Sequence, residues 1–261
     1  MVEPVRRLRV EGTEVDLHQA GQPLLVWLGD SLSPWQSAAA EERLVRDLAS
    51  RSDWSVAHVL YGLDAVGIFP AALTRAYRCL AHFQAQEGGG MPVAIGGNGF
   101  GASLAASASL LAQRYGEPPP AATVLLAPLL DTRLASPSWR RFGEEEERRR
   151  MDAALEAYAP GLDRADPLLS PLLAEQIEGL PTTAIVTAAG DPMRDDGERW
   201  AERLRDAGVT VLGHRYPDTD HAQACGGETS EEGAAVVRGL ASALRLILSR
   251  STQSDEVSSS H

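Results

Sequence analysis

Hydrophobic positions in this 261-residue chain fall into two alternating kinds of segment. Short runs rich in apolar residues read as strands: Leu24 to Leu28, Val56 to Leu60, Val93 into Gly96, Thr123 to Ala127, Thr183 to Thr187 and Val209 to Arg215. Continuous runs such as Leu24 to Leu28 suit parallel strands buried on both faces. Residues 5–10 and 13–18 read as short edge strands. Between these runs apolar residues recur at helical spacing. Ala38, Leu44, Val45 and Leu48 mark a helix over 38–51, and Pro70 opens one that reaches about Ala85. A helix over 195–207 is ended by Gly208, and Ala234, Val237, Leu240, Leu244 and Ile247 mark a closing helix over 229–248. Strand and helix alternate at least five times, which predicts an α/β fold: a mostly parallel sheet with helices on both faces. In such sheets the site lies beyond the carboxyl ends of the strands, here loops 29–35, 97–101, 188–194 and 217–223.

Three stretches depart from the alternation. Gly88-Gly89-Gly90 is a loop. Residues 131–168 carry the charged run Glu144 to Arg150 and little strand pattern, so they are expected to form a small helical insertion over one face of the sheet. The run itself reads as a solvated helix face with Glu–Arg pairs four residues apart. From Ser249 the chain is Ser-rich and polar, and a disordered tail over 249–261 is expected behind a single domain spanning 1–248.

The stretch from Val93 to Leu104 stands out. An apolar strand enters Gly97-Asn98-Gly99-Phe100-Gly101, which opens a helix of small residues. The shape is that of a nucleophile elbow, G-x-S-x-G, with glycine where the serine would stand. Downstream, Asp191 follows one strand and His221 the next, in the order Ser…Asp…His that goes with such an elbow.

Those residues, with Asp166-Pro167, Ser170-Pro171-Leu172, Gly179-Leu180-Pro181, Asp191-Pro192, Arg194 to Gly197 and Tyr216 to His221, resemble the hormone-sensitive-lipase-like branch of the α/β hydrolases. Phe69 to Leu73 and Ser136 to Ser138 fit it too. The resemblance implies an α/β-hydrolase fold with Asp191 as the acid and His221 as the base of a catalytic triad. It also marks two departures. The serine position is Gly99, and the His-Gly-Gly-Gly oxyanion loop is Leu28-Gly29-Asp30-Ser31, which puts a carboxylate where negative charge would develop. Without these two parts ordinary serine-esterase chemistry is not expected. Gly29, Asp30, Ser31, Trp35, Asn98, Gly99 and Phe100 are then expected to form a substrate pocket, with Phe100 as one wall.

Three functions remain open on these residues. One is a non-hydrolytic enzyme in which His221, oriented by Asp191, moves a Cα proton. Here the chain is similar in kind to atypical α/β-hydrolase-fold epimerases that act on bottromycin-like modified peptides, where the substrate itself can supply the base. A second is a pseudo-hydrolase that binds a small molecule or a partner. A third is a hydrolase with Ser31 as a rewired nucleophile. Gly29-Asp30-Ser31-Leu32, Gly96-Gly97-Asn98 and Asp218 to His221 also match short blocks of the SGNH hydrolases, which would give Ser31 the same role.

Composition narrows the partners. A formal charge of −12 argues against nucleic acid, and all 24 basic side chains are arginine, which excludes lysine chemistry. Cys79 and Cys225 give no metal spacing and read as reduced thiols. No cofactor is expected. No signal peptide or membrane-spanning run is legible, so a cytoplasmic protein is expected, with a modified peptide or small molecule as ligand and a second copy of the chain as a candidate partner.

Overall fold

The computed structural model describes residues 5–18, 23–32, 35, 37–62, 68–86 and 92–258. The glycine run 88–90 lies outside the described residues. Among the described residues eight strands form one sheet: β1 (Arg6–Val10), β2 (Thr13–His18), β3 (Leu24–Leu28), β4 (Ser55–Leu60), β5 (Val93–Asn98), β6 (Thr123–Leu126), β7 (Thr183–Ala188) and β8 (Val211–Tyr216). Their spatial order is β1-β2-β4-β3-β5-β6-β7-β8. β2 runs antiparallel to both of its neighbours, and every other pair from β4 to β8 is parallel.

The helices are α1 (Ala38–Ser52), α2 (Ala71–Gln86), α3 (Gly99–Tyr115), α4 (Pro137–Phe142), α5 (Glu145–Tyr158), α6 (Arg194–Asp206), α7 (His221–Cys225) and α8 (Glu231–Ser258). Their ends have local causes. The Ser37 side chain accepts from the Ala40 amide to start α1, and Gly116 closes α3 at φ +66°. Glu144 and Glu147 form a reciprocal capping box at the start of α5.

Burial splits into two cores, one on each face of the sheet. One gathers residues of α2, α3, α5 and α6, with Phe100, Trp139 and Trp200 among them. The other gathers α1 and α8 around Trp27 and Trp54. The sequence-expected elements agree with this arrangement to within a few residues. The tail does not, since α8 continues past Leu248 to Ser258 as helix. The insertion is helical, as α4 and α5, and Glu146 pairs with Arg149 and Arg150 on its exposed face. Cys79 and Cys225 are both buried, and neither is in a disulfide. Among the described residues no helix is long and apolar enough to cross a membrane.

Candidate active site

β5 runs into α3 through a turn at Gly99, whose φ of +50° is left-handed and therefore costly for any residue with a Cβ. The turn is pressed against the end of β3. A Cβ on Gly101 would lie 2.0 Å from the Leu28 carbonyl oxygen, and one on Gly97 would lie 2.4 Å from it. The two glycines thus allow the first turn of α3 to lie this close to the end of β3.

The Gly29-Asp30-Ser31 turn follows β3 and carries the Asp30 side chain to this elbow. A Cβ built on Gly99 would stand 1.8 Å from Asp30 Oδ2, 2.4 Å from its Cγ and 3.1 Å from its Cβ. The Asp30 carboxylate therefore fills the volume into which a residue-99 side chain would project. It lies at the amino end of a 17-residue helix, whose dipole and leading N–H groups favour negative charge. Asp30 Oδ1 accepts from the Leu32 amide at 3.3 Å, which shapes the turn.

The other two groups arrive from the strands beyond. Asp191 follows β7 and is fully buried; its Oδ1 accepts from the Met193 amide at 2.8 Å. His221 is the first residue of α7, fixed there by the Asp220–Gln223 capping box. Its Nδ1 is 3.0 Å from Asp191 Oδ2, and its Nε2 is 3.6 Å from Asp30 Oδ2. The imidazole thus bridges two carboxylates. Burial alone would keep it neutral, but the Cys225 sulfur, Asp191 and Asp30 outweigh burial and raise its pKa well above the usual value. Cys225 itself is pushed up by burial and stays a thiol near neutral pH, so we assign the charge on His221 chiefly to the carboxylates.

Trp35 roofs this cluster. Its ring lies 5.1 Å from the His221 ring and 6.0 Å from Trp139, and its Nε1 donates to Glu147 of α5. Both helices of the insertion thereby contact the cover over His221, which is only 2% exposed. A cleft of about 540 Å³ opens beside the Gly29–Ser31 turn, with Asp16, Asp30, His58 and Tyr61 among its lining residues.

Of the residues expected to line a pocket, the fold brings Asp30, Gly99 and Trp35 together with Asp191 and His221. Gly29 and Ser31 line the adjacent cleft with Asp30, whereas Asn98 and Phe100 are buried away from it. Ser31 is exposed and lies beside the Tyr61 phenol. The Gly29 carbonyl accepts from Tyr61. Asn98 is fully buried and donates to Glu41 Oε2 at 3.0 Å. Phe100, expected as a pocket wall, is core: it is 1% exposed and its ring meets Tyr158 edge-on at 4.9 Å. Glu41 was not anticipated. A signal existed, because it falls three residues after Ala38 and three before Leu44, on the apolar stripe of α1 where an acid is out of place.

Comparison with known proteins gives one consistent result. A family model described as alpha/beta hydrolase fold matches residues 34–224. The chain is 36% identical over 72% of its length to a carboxylic ester hydrolase, LipN, of Mycobacterium tuberculosis, and covers 54% of that protein. It is 27% identical over 80% of its length to an esterase of Acinetobacter venetianus and covers 70% of it. Among solved structures, a thermostable esterase from Pseudomonas putida superposes with a TM-score of 0.82 at 25% identity, over 94% of this chain and 82% of that one. These relatives overturn the expectations of an epimerase and of a binding-only pseudo-hydrolase, because they are named as ester hydrolases. They do not specifically favour Ser31 as a rewired nucleophile either.

Proposed function

The chain belongs to the α/β-hydrolase family, and from that premise we propose that it hydrolyses carboxylic esters with the Asp30 carboxylate in the place of the elbow serine. One observation carries the reading: Asp30 Oδ2 stands 1.8 Å from where a residue-99 Cβ would be. That is about the position of a serine hydroxyl. A carboxylate there needs no base to activate it, which suits an imidazole that begins the cycle charged.

In this reading Asp30 attacks the acyl carbon, and the bond from that carbon to the alkoxy oxygen breaks. The leaving alkoxide takes its proton from the His221 imidazolium. The acyl–Asp30 anhydride so formed is opened by water, which attacks the acyl carbon as it gives a proton to the now neutral His221. Asp30 leaves as carboxylate, and the imidazolium is restored. Asp191, held by the Met193 amide, keeps Nδ1 of His221 engaged so that Nε2 faces the reacting centre. The leading N–H groups of α3 are placed to stabilise charge on the acyl oxygen.

Release of p-nitrophenol from p-nitrophenyl acetate tests this. The wild type is expected to exceed the buffer rate, and Asp30→Asn and His221→Gln are each expected to fall by about 100-fold or more, the scale of lost nucleophilic or proton-transfer assistance. Ser31→Ala is expected to keep its rate. Absence of turnover in the wild type, or full activity in Asp30→Asn, would refute the assignment.

A further inference from the structure

Glu41 carries a carboxylate that is only 6% exposed although it sits on α1, a helix with an open solvent face. Three donors converge on it from three parts of the fold. Trp27 Nε1 of β3 reaches Oε1 at 2.9 Å, Asn98 Nδ2 of β5 reaches Oε2 at 3.0 Å, and the Asp30 amide reaches Oε2 at 3.4 Å. Burying a carboxylate is unfavourable unless hydrogen bonds replace its water. These contacts do so while tying the end of β3 to the end of β5. Gly29 belongs to the same construction, since a Cβ there would lie 2.7 Å from Glu41 Cδ and 2.9 Å from its Cγ. The glycine in the turn thus makes room for Glu41.

We propose that Glu41 is a positioning residue, which grips the Asp30 main chain so that the Asp30 carboxylate is delivered to the elbow against His221. The inference deepens the reading above, because it takes Asp30 as the working group. It also accounts for the lost oxyanion loop: the Asp30 N–H that such a loop would offer to substrate is turned toward Glu41. Among the described residues the Tyr61 phenol faces both Glu41 and Asp30, and burial raises its pKa so that it stays neutral. His58 of β4 faces Glu41, with Asp16 of β2 beyond it, and burial lowers the His58 pKa so that it carries no charge near neutral pH. Asp191, Cys225 and Asp30 face His221.

The test follows the His221 imidazole by NMR titration in the full-length protein, with its resonance assigned by its loss in His221→Gln. Glu41→Gln is expected to lower the apparent His221 pKa in the same direction as Asp30→Asn, because Asp30 drifts from Nε2. The double variant Glu41→Gln with Asp30→Asn is expected to lower it no further than Asp30→Asn alone. A Glu41→Gln protein with reduced Tm but an unmoved His221 titration would overturn the proposal and leave Glu41 merely structural. A shift that adds to that of Asp30→Asn would also overturn it, by showing a direct field effect. Should Glu41→Gln fail to fold, Gly29→Ala displaces the carboxylate while keeping its charge, and the same outcomes apply. None of these readings needs turnover. Failure of ester hydrolysis would therefore sink the proposed function and leave this linkage standing.

Discussion

Substitution at Gly99 gives the most direct test of where Asp30 sits. Gly99→Ala adds one carbon at a position with φ +50°. The left-handed backbone costs about 1–2 kcal/mol for a residue with a Cβ. The new atom would also overlap three atoms of Asp30, at 1.8, 2.4 and 3.1 Å, in a site where Asp30 is only 7% exposed. Overpacking of this kind costs about 1–3 kcal/mol, so the single variant is expected to lose roughly 2–5 kcal/mol. Asp30→Gly removes all three clashing atoms. In the background of Asp30→Gly the same Gly99→Ala change is expected to cost only the backbone part. Urea unfolding of the two single variants, the double variant and the wild type closes a double-mutant cycle. A coupling energy of about 1–3 kcal/mol is expected, with the double variant more stable than the sum of the singles. Additive costs within about 0.5 kcal/mol would mean that Asp30 does not occupy the elbow. The proposed chemistry would then lose its foundation.

Two further predictions concern stability. Phe100→Ala is expected to cost about 3–5 kcal/mol in denaturant unfolding, because the ring is core against Tyr158; a cost below about 1 kcal/mol would return it to the pocket wall it was first expected to form. Burial raises the Asp196 pKa to about 7 against the opposing hydrogen bonds from Ser136, Asp131 and Leu130. The folded state thus holds a proton that the unfolded chain has released, and stability is lost as pH rises from about 4 to 7. Asp196→Asn can accept from the two amides and donate to the Ser136 hydroxyl, so its stability relative to wild type is expected to improve by up to about 4 kcal/mol across that window; parallel pH profiles in thermal unfolding would refute this. His221, with its raised folded pKa, stabilises fully below about pH 6.5 and loses that contribution as pH climbs through the folded value, an alkaline loss that His221→Gln is expected to remove.

Much of this fold was legible in the sequence because its elements are long and periodic enough to announce themselves. β3 is the apolar run Leu24 to Leu28 without a residue's difference, and α1 differs from its pattern by one residue. Asp191 and His221 were legible because each follows a strand end, and strand ends converge. What stayed hidden depended on long-range contact. Phe100 could be placed on the first turn of α3, but only the docking of α5 puts Tyr158 against it. α7 is five residues long, too short to show a stripe, and only its capping box marks its start. Glu41 is marked in the sequence only as an acid on the apolar stripe of α1, and its partners Trp27 and Asn98 lie 14 and 57 residues away on strands. The α8 continuation to Ser258 was obscured by its Ser-rich composition, which carries little apolar periodicity.

The two departures from the family pattern, glycine at 99 and aspartate at 30, look independent along the chain and turn out to be one change in space. Either alone would damage the site. A side chain at 99 with Asp30 in place would collide with the carboxylate, and glycine at 99 without Asp30 would leave a void beside a buried imidazole. In the proposed reaction they together exchange a neutral nucleophile that needs a base for a charged one that does not. That exchange alters what the histidine must do, since Nε2 facing a carboxylate holds a proton where Nε2 facing a hydroxyl would accept one. Asp30 adds to the raised His221 pKa after the larger effects of Cys225 and Asp191, its amide faces Glu41, and the glycine at 29 leaves room for Glu41. In the proposed chemistry the site works as an array of Asp191, His221 and Asp30, with Asp30 Oδ2 3.6 Å from Nε2.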